Sequence, residues 1–399
     1  MDLGVNIIGA YHSSFGKLEG ETLYTLYEKA AKGAINDAAI EASAIDGVFV
    51  GNYSGGAFNR QENIASFGVN AIPELRHKPM YRTETACSSG SSAIHMAIMA
   101  IKAGMMKRVL VVGIEKMTDL DIAGVTEALA LATYWPEEGS KSVTAPCMFA
   151  DLAKGWMKHY NYSEEQLRPW LAKISAKAYS NAAENPLAQL QKPKSAEDIL
   201  SLPDEKNPII YQPLRLHDCS LVSDGAAALV LEDASISSGK SVAIKSFYSA
   251  ADYLDSFGKN KSDYFLEGAA FAVDKALKSA GLSIEDISLA EVHDCFTITE
   301  LLLYSAMGIA PAGREFEALE SGKVYPDGKS PINLSGGLKA KGHPIGATGV
   351  GMHAYIYKQL MQEAWGYQMK DAQFGMVVNI GGSGTSNAVS VLAPFSARG

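Results

Sequence analysis

The sequence predicts an α/β fold made of two similar halves, with a loop-rich segment inserted into the first. Three observations carry this. Apolar strand-like runs alternate with helical segments along the chain, the pattern of a sheet covered by helices. A set of apolar positions recurs 242 residues later, where Ala34, Ile35, Ala38, Ile40, Ile45 and Val50 answer to Ala276, Leu277, Ala280, Leu282, Ile287 and Val292. Between these halves the texture changes, with Pro186, Pro193, Pro203 and Pro208 breaking up a polar region.

Taken in order, residues 5–10 read as a buried strand and residues 21–42 as a helix, with Leu23, Leu26, Ala30, Ala34 and Ala38 at helical spacing. A strand is expected over 45–51 and a helix over 57–70. Residues 87–104 make a helix in which Ser88 to Gly90 form the first turn. Val109 to Gly113 is a continuous apolar run, as in a strand covered on both faces. An inserted domain follows over 119–209, with one polar helical stretch from Lys158 to Glu184. Its basic side chains Lys154, Lys158, Arg168, Lys173, Lys177, Lys192 and Lys194 are expected to attract an anionic cofactor. The first half then resumes over 210–238, with a strand from Ala226 to Glu232, and joins 1–118. Residues 239–399 form the second half, where 376–379 answer to 110–113 and a helix over 348–360 answers to the one from Ala93.

Composition bounds the function. In 399 residues, 47% are hydrophobic and 20% charged, as in globular proteins that stay out of membranes. The net charge of −9 argues against nucleic acid or an anionic membrane as a partner. Four cysteines, at 87, 147, 219 and 295, have neither paired nor metal-ligand spacing, which points to free thiols, no metal and a reducing compartment. With no signal-peptide pattern at the start and no apolar run of membrane-spanning length, a cytoplasmic location is expected.

Four stretches carry residues that packing does not require. Cys87 sits among Ala, Ser and Gly directly ahead of an apolar helix, where backbone N–H groups favour a thiolate, so a depressed pKa is expected. His293-Asp294-Cys295-Phe296 follows an apolar strand. Lys341-Gly342-His343-Pro344-Ile345-Gly346 opens a helix. Asn379-Ile380-Gly381-Gly382-Ser383-Gly384 follows the last long strand and offers N–H groups to an oxyanion.

These residues resemble the thiolases, over essentially the whole chain. Ala-Cys-Ser-Ser-Gly around Cys87 is similar to the acyl-accepting motif, and Gly-His-Pro around His343 to that of the activating histidine. Asp224-Gly225-Ala226 is similar to the return from the loop domain. Two departures matter: His293-Asp294-Cys295-Phe296 stands for the more usual Asn-Glu-Ala-Phe, and Asn379 stands where most thiolases have a second catalytic cysteine. Both are similar to the sterol-carrier-protein-2-type and archaeal acetoacetyl-CoA branch.

The resemblance implies a layered thiolase fold and an acyltransferase acting through Claisen chemistry, with coenzyme A thioesters as substrates and no permanently bound cofactor. It implies Cys87 as nucleophile, His343 as its activator and Cys295 as α-proton acid/base. His293, together with His343 and through a water, is implied to hold the enolate oxygen. The N–H groups of Cys87 and Gly381 are implied to hold the acyl oxygen, and Ser220 and Met148 to line the substrate tunnel. A homodimer or homotetramer is implied, as is a complex with a hydroxymethylglutaryl-CoA synthase and a zinc/OB-fold partner. A decarboxylating synthase or steroid side-chain aldolase is the alternative enzyme, disfavoured because neither needs the Cys87 and Cys295 pair. A non-catalytic scaffold is disfavoured by the presence of Cys87 and His343.

Overall fold

The computed structural model describes residues 3–141, 143–257 and 261–395. The first half supplies strands β1 (Val5–His12), β2 (Gly47–Gly51), β3 (Met80–Thr83) and β4 (Arg108–Glu115), with helices α1 (Leu23–Asp37), α2 (Gly55–Asn59), α3 (Phe67–Ala71) and α4 (Ser89–Lys102). Between β4 and the returning strand lie α5 (Ile122–Ala130), α6 (Ala145–Tyr160), α7 (Glu164–Ala183), α8 (Ala196–Leu200) and a hairpin of β5 (Ile209–Tyr211) and β6 (Leu214–Arg215). The first half closes with β7 (Gly225–Asp233). The second half comprises β8 (Ser241–Ala251), α9 (Glu267–Ala280), β9 (Leu289–Val292), α10 (Thr297–Ala306), α11 (Glu317–Glu320), α12 (Ile345–Leu360), β10 (Gly375–Gly381) and β11 (Ser386–Phe395).

Nine strands form one sheet in the order β3-β2-β4-β7-β1-β8-β11-β10-β9. Outward from the centre, β1-β7-β4-β2 on one side is repeated by β8-β11-β10-β9 on the other, so the duplication read from the sequence is a duplication of topology. The seam is thin: β1 and β8 pair only through Asn6 with Ala243 and Ile7 with Val242. Helices α1 and α9 cover the outer faces, while α4 and α12 pack on each other and on strands of the sheet between the halves. Each side chain of β4 beyond Arg108 is buried, as expected for a strand covered on both faces.

Three local expectations are corrected. Residues 57–70 do not form one helix, because Arg60 takes a left-handed φ of 56° and ends α2. Residues 158–184 split in two. Asn161, at φ 60°, closes α6, and Ser163 opens α7 through a reciprocal cap with Gln166. The basic residues of the insert do not form one free cationic surface. Lys177 is buried and pairs with Glu300 at 2.8 Å. It also donates to the Ile332 carbonyl at 2.7 Å. Arg168 grips Asp218 with two bonds of 2.7 and 2.8 Å. These contacts fix the insert to the loop ahead of β7 and to the second half, since a buried cation is tolerated only when paired.

Candidate active site

The nucleophile candidate is held by a strained turn. Ala86 has φ 51°, a left-handed conformation that costs a non-glycine residue on the order of 1 kcal/mol or more. Ser88 Oγ and N–H both bond the Thr85 carbonyl, at 2.7 and 3.2 Å. Cys87 therefore sits immediately before the cap residue of α4, as its sequence context predicts.

His343 reaches it because α4 and α12 meet without side chains between them. A Cβ on Gly90 would lie 2.8 Å from both Gly346 O and Val350 N, so only glycine allows this approach. The loop before α12 is tied down from several sides. The His343 N–H donates to Ser223 Oγ at 3.0 Å. Gly346 N–H donates to Glu115 at 3.0 Å, and Leu338 N–H to Asp294 at 2.6 Å. The Cys87 sulfur and one ring nitrogen each of His293 and His343 consequently lie within 4.8 Å of one another. The two imidazoles stand nearly perpendicular, at 85°, with centroids 5.2 Å apart.

Their hydrogen bonds distinguish them. Thr348 Oγ1 donates to the Pro344 carbonyl at 3.0 Å and so accepts from His343 Nδ1–H at 2.7 Å. That leaves a lone pair on Nε2 of His343, suited to take a thiol proton. His293 Nδ1 instead faces the amide nitrogen of Asn379 at 3.0 Å, while its Nε2 is buried without a partner. Burial, reinforced by Lys341, lowers His343 to about 3. Burial and then His343 lower His293 well below the ordinary histidine value. Both rings are neutral at physiological pH.

The expected depressed pKa of Cys87 is overturned. Burial dominates and pushes the thiol up to about 12, against the opposing pull of the Gly382 N–H and its own N–H. The resting thiol is protonated, and a thiolate forms only as its proton leaves. Cys295 is buried, and burial followed by the charges of Cys87 and Asp294 raises it well above the ordinary thiol value.

The remaining predicted residues fall around this centre. Ser220 N–H donates to the Cys295 carbonyl at 2.8 Å. Met148 is partly buried near the start of α6 and precedes Phe149, which stacks on Phe296 at 4.7 Å. Gly381 abuts the nucleophile turn, where a Cβ would lie 2.2 Å from Thr85 O. Ser223 and Glu115 escaped sequence reasoning as parts of the site, since nothing local marks either.

A partly exposed thiol stands beside two buried imidazoles at the meeting point of two helix N-termini in a duplicated α/β core. Residues 5–235 match the family model of the thiolase N-terminal domain, and residues 255–394 that of the thiolase C-terminal domain-like family. The acetyl-CoA acetyltransferase of Methanothermobacter thermautotrophicus is 36% identical over 397 residues, covering 98% of this chain and 99% of the relative. Sterol carrier protein 2 of Bos taurus is 31% identical, covering 94% of this chain and 70% of that protein. The solved structure described as an "Ltp2-ChsH2(DUF35) aldolase" superposes with a TM-score of 0.81 at 20% identity, covering 98% of each chain, a likeness of fold. The chain belongs to the thiolase family and is an acyltransferase.

Proposed function

We propose that the chain condenses two acetyl-CoA molecules to acetoacetyl-CoA and CoA, or runs the reverse thiolysis, through an acyl-enzyme on Cys87. The observation that carries this is the Cys87 sulfur within 4.8 Å of a ring nitrogen of His343, whose Nδ1 is taken up by Thr348. As the thiol attacks the acetyl carbonyl, His343 takes its proton and passes it to the departing CoA sulfur, a general-base step. Cys87 and Gly381 N–H groups receive the carbonyl oxygen. Cys295, once its own proton has passed to solvent, takes an α-proton from a second acetyl-CoA as a thiolate, and the enolate oxygen accepts a hydrogen bond from the Nε2–H of His293. The new C–C bond forms at the acyl carbon, the C–S bond to Cys87 breaks, and the proton held by Cys295 passes to the departing Cys87 thiolate.

Ser220, bonded to the Cys295 carbonyl, and Met148, next to the Phe149 that stacks on Phe296, would border the pantetheine arm. The division into 1–118 with 210–238, 119–209 and 239–399 belongs to the same reading, as does a homo-oligomer. So does a complex with a hydroxymethylglutaryl-CoA synthase and a zinc/OB-fold partner. No helix among the described residues is long and apolar enough to cross a membrane, which supports a cytoplasmic location.

The test is mass spectrometry after mixing with acetyl-CoA. An acetyl group on Cys87, followed by release of acetoacetyl-CoA, is the expected result. A protein left unmodified by acetyl-CoA and by acetoacetyl-CoA would overturn the reading.

A further inference from the structure

Asn379 is fully buried on β10 between the two chemical centres of the site. Its Oδ1 accepts from Ser91 Oγ at 2.8 Å. Its Nδ2 lies 3.2 Å from the Cys87 carbonyl and 3.0 Å from His293 Nδ1. A carbonyl oxygen can only accept, so the atom facing Cys87 is the amide NH2, and the orientation of the side chain is fixed from both ends. That NH2 group has two protons and nothing to accept with. His293 Nδ1 must therefore be bare, and the ring proton sits on Nε2, the buried nitrogen without a partner.

We propose that Asn379 is a positioning residue that locks His293 in its Nε2–H form, and so keeps the Cys87, His293 and His343 cluster from binding a thiophilic metal ion. A sulfur and two ring nitrogens within 4.8 Å of one another are otherwise the makings of a three-ligand zinc site with an open fourth position. A ligating histidine offers one nitrogen's lone pair to the metal and donates the other N–H to an acceptor. In this site Nδ1 meets a donor, so Nε2 carries a proton where the metal would need electrons. The same bond leaves the enzyme a buried N–H without a partner, free for a substrate oxygen. This rests on the proposed condensation only for the use made of that N–H.

Two substitutions separate the effects. Asn379→Asp offers Nδ1 an acceptor, which moves the ring proton to Nδ1 and exposes a lone pair on Nε2. Asn379→Ala removes the donor and leaves the ring free to exchange. With zinc sulfate as the probe, metal retained after gel filtration is measured by elemental analysis beside acylation of Cys87. Zinc should bind Asn379→Asp at least about tenfold more tightly than wild type, in line with the effect of partners behind metal-bound histidines. Chelation should restore whatever acylation the variant has. Asn379→Ala should move the same way, and a merely structural role for Asn379 would give no gain of metal affinity.

Should neither variant fold, the nitrogen NMR spectrum of histidine-labelled wild type decides. It should show a bare Nδ1 and a protonated Nε2 for His293, assigned by their loss in His293→Gln. Stoichiometric zinc on the wild-type cluster, a gain below tenfold in a folded Asn379→Asp, or a protonated Nδ1 in the wild type overturns the proposal. An inactive wild type with the expected tautomer would instead sink the condensation reading alone.

Discussion

Replacing Gly90 with Ala probes the helix approach that brings the two halves of the site together. The new Cβ would meet Gly346 O and Val350 N at 2.8 Å and Gly349 N at 3.2 Å. All three are backbone atoms of the loop and helix that carry His343, so none can swing aside. Reaching an ordinary contact of 3.4 Å requires α4 and α12 to part by about 0.6 Å. Two terms then compete in stability. Alanine gains up to ~1 kcal/mol over glycine in a helix, and overpacking costs about 1–3 kcal/mol. The net loss is at most ~3 kcal/mol, below the ~5–15 kcal/mol by which folded proteins are ordinarily stable, so the protein stays folded. Chemistry is less forgiving, since misplacing reacting groups by about 1 Å costs roughly 10²-fold. Single-turnover acylation of Cys87 by acetyl-CoA, followed by rapid quench and mass spectrometry, should slow by about tenfold or more. A thermal melt on the same sample controls for folding. Acylation at wild-type speed in a folded Gly90→Ala protein would refute the idea that this contact sets the geometry of Cys87 and His343.

Three further outcomes follow from the same geometry. With its thiol raised to about 12, Cys87 should alkylate with iodoacetamide far more slowly than free cysteine near neutral pH. Its rate should climb about tenfold per pH unit from 7 to 9, and a plateau near pH 7 would mean the thiol is acidic after all. Cys295→Ala should leave acylation of Cys87 intact while deuterium uptake into the acetyl-CoA methyl group and acetoacetyl-CoA formation collapse, and a mutant that still condenses at near wild-type rate would reduce Cys295 to packing. Glu115→Gln should cost about 2–4 kcal/mol in denaturant unfolding. Its two oxygens accept from Asn52 Nδ2, Tyr53 N, Ser54 N and Gly346 N, two to each oxygen, and an amide would turn donor against donor at two of them; an unchanged midpoint would show that these bonds are dispensable.

Much of this was legible in the chain because it is written in local pattern. The offset of 242 residues marked the duplication, and it returns as equivalent places for α1 and α9 and for β2 and β9. Cys87, His293, Cys295 and His343 stood out because glycine-rich loops and strand ends surround them. What stayed hidden depends on distant partners. Asn379 reads as a missing cysteine until Ser91, 288 positions away, and Cys87, 292 away, are seen to fix its amide. The acidity of Cys87 was misread because a helix N-terminus is visible in sequence and desolvation is not. Lys177 reads as one cation in a polar helix, and only its buried carboxylate partner Glu300 shows it to be structural. β3 is a four-residue, partly exposed edge strand and carries too short a pattern to be recognised.

The thin seam between β1 and β8 has a consequence for the life of the chain on the ribosome. Synthesis runs from the first half to the second, and domains tend to fold as they emerge. Cys87 is therefore made long before His343, its base in the proposed mechanism, and the amide of Asn379 that reaches its backbone comes later still. On that mechanism the newborn thiol lacks its proton acceptor until α12 docks against α4. Acylation would in this sense be a certificate of assembly, issued only once the second half has closed against the first.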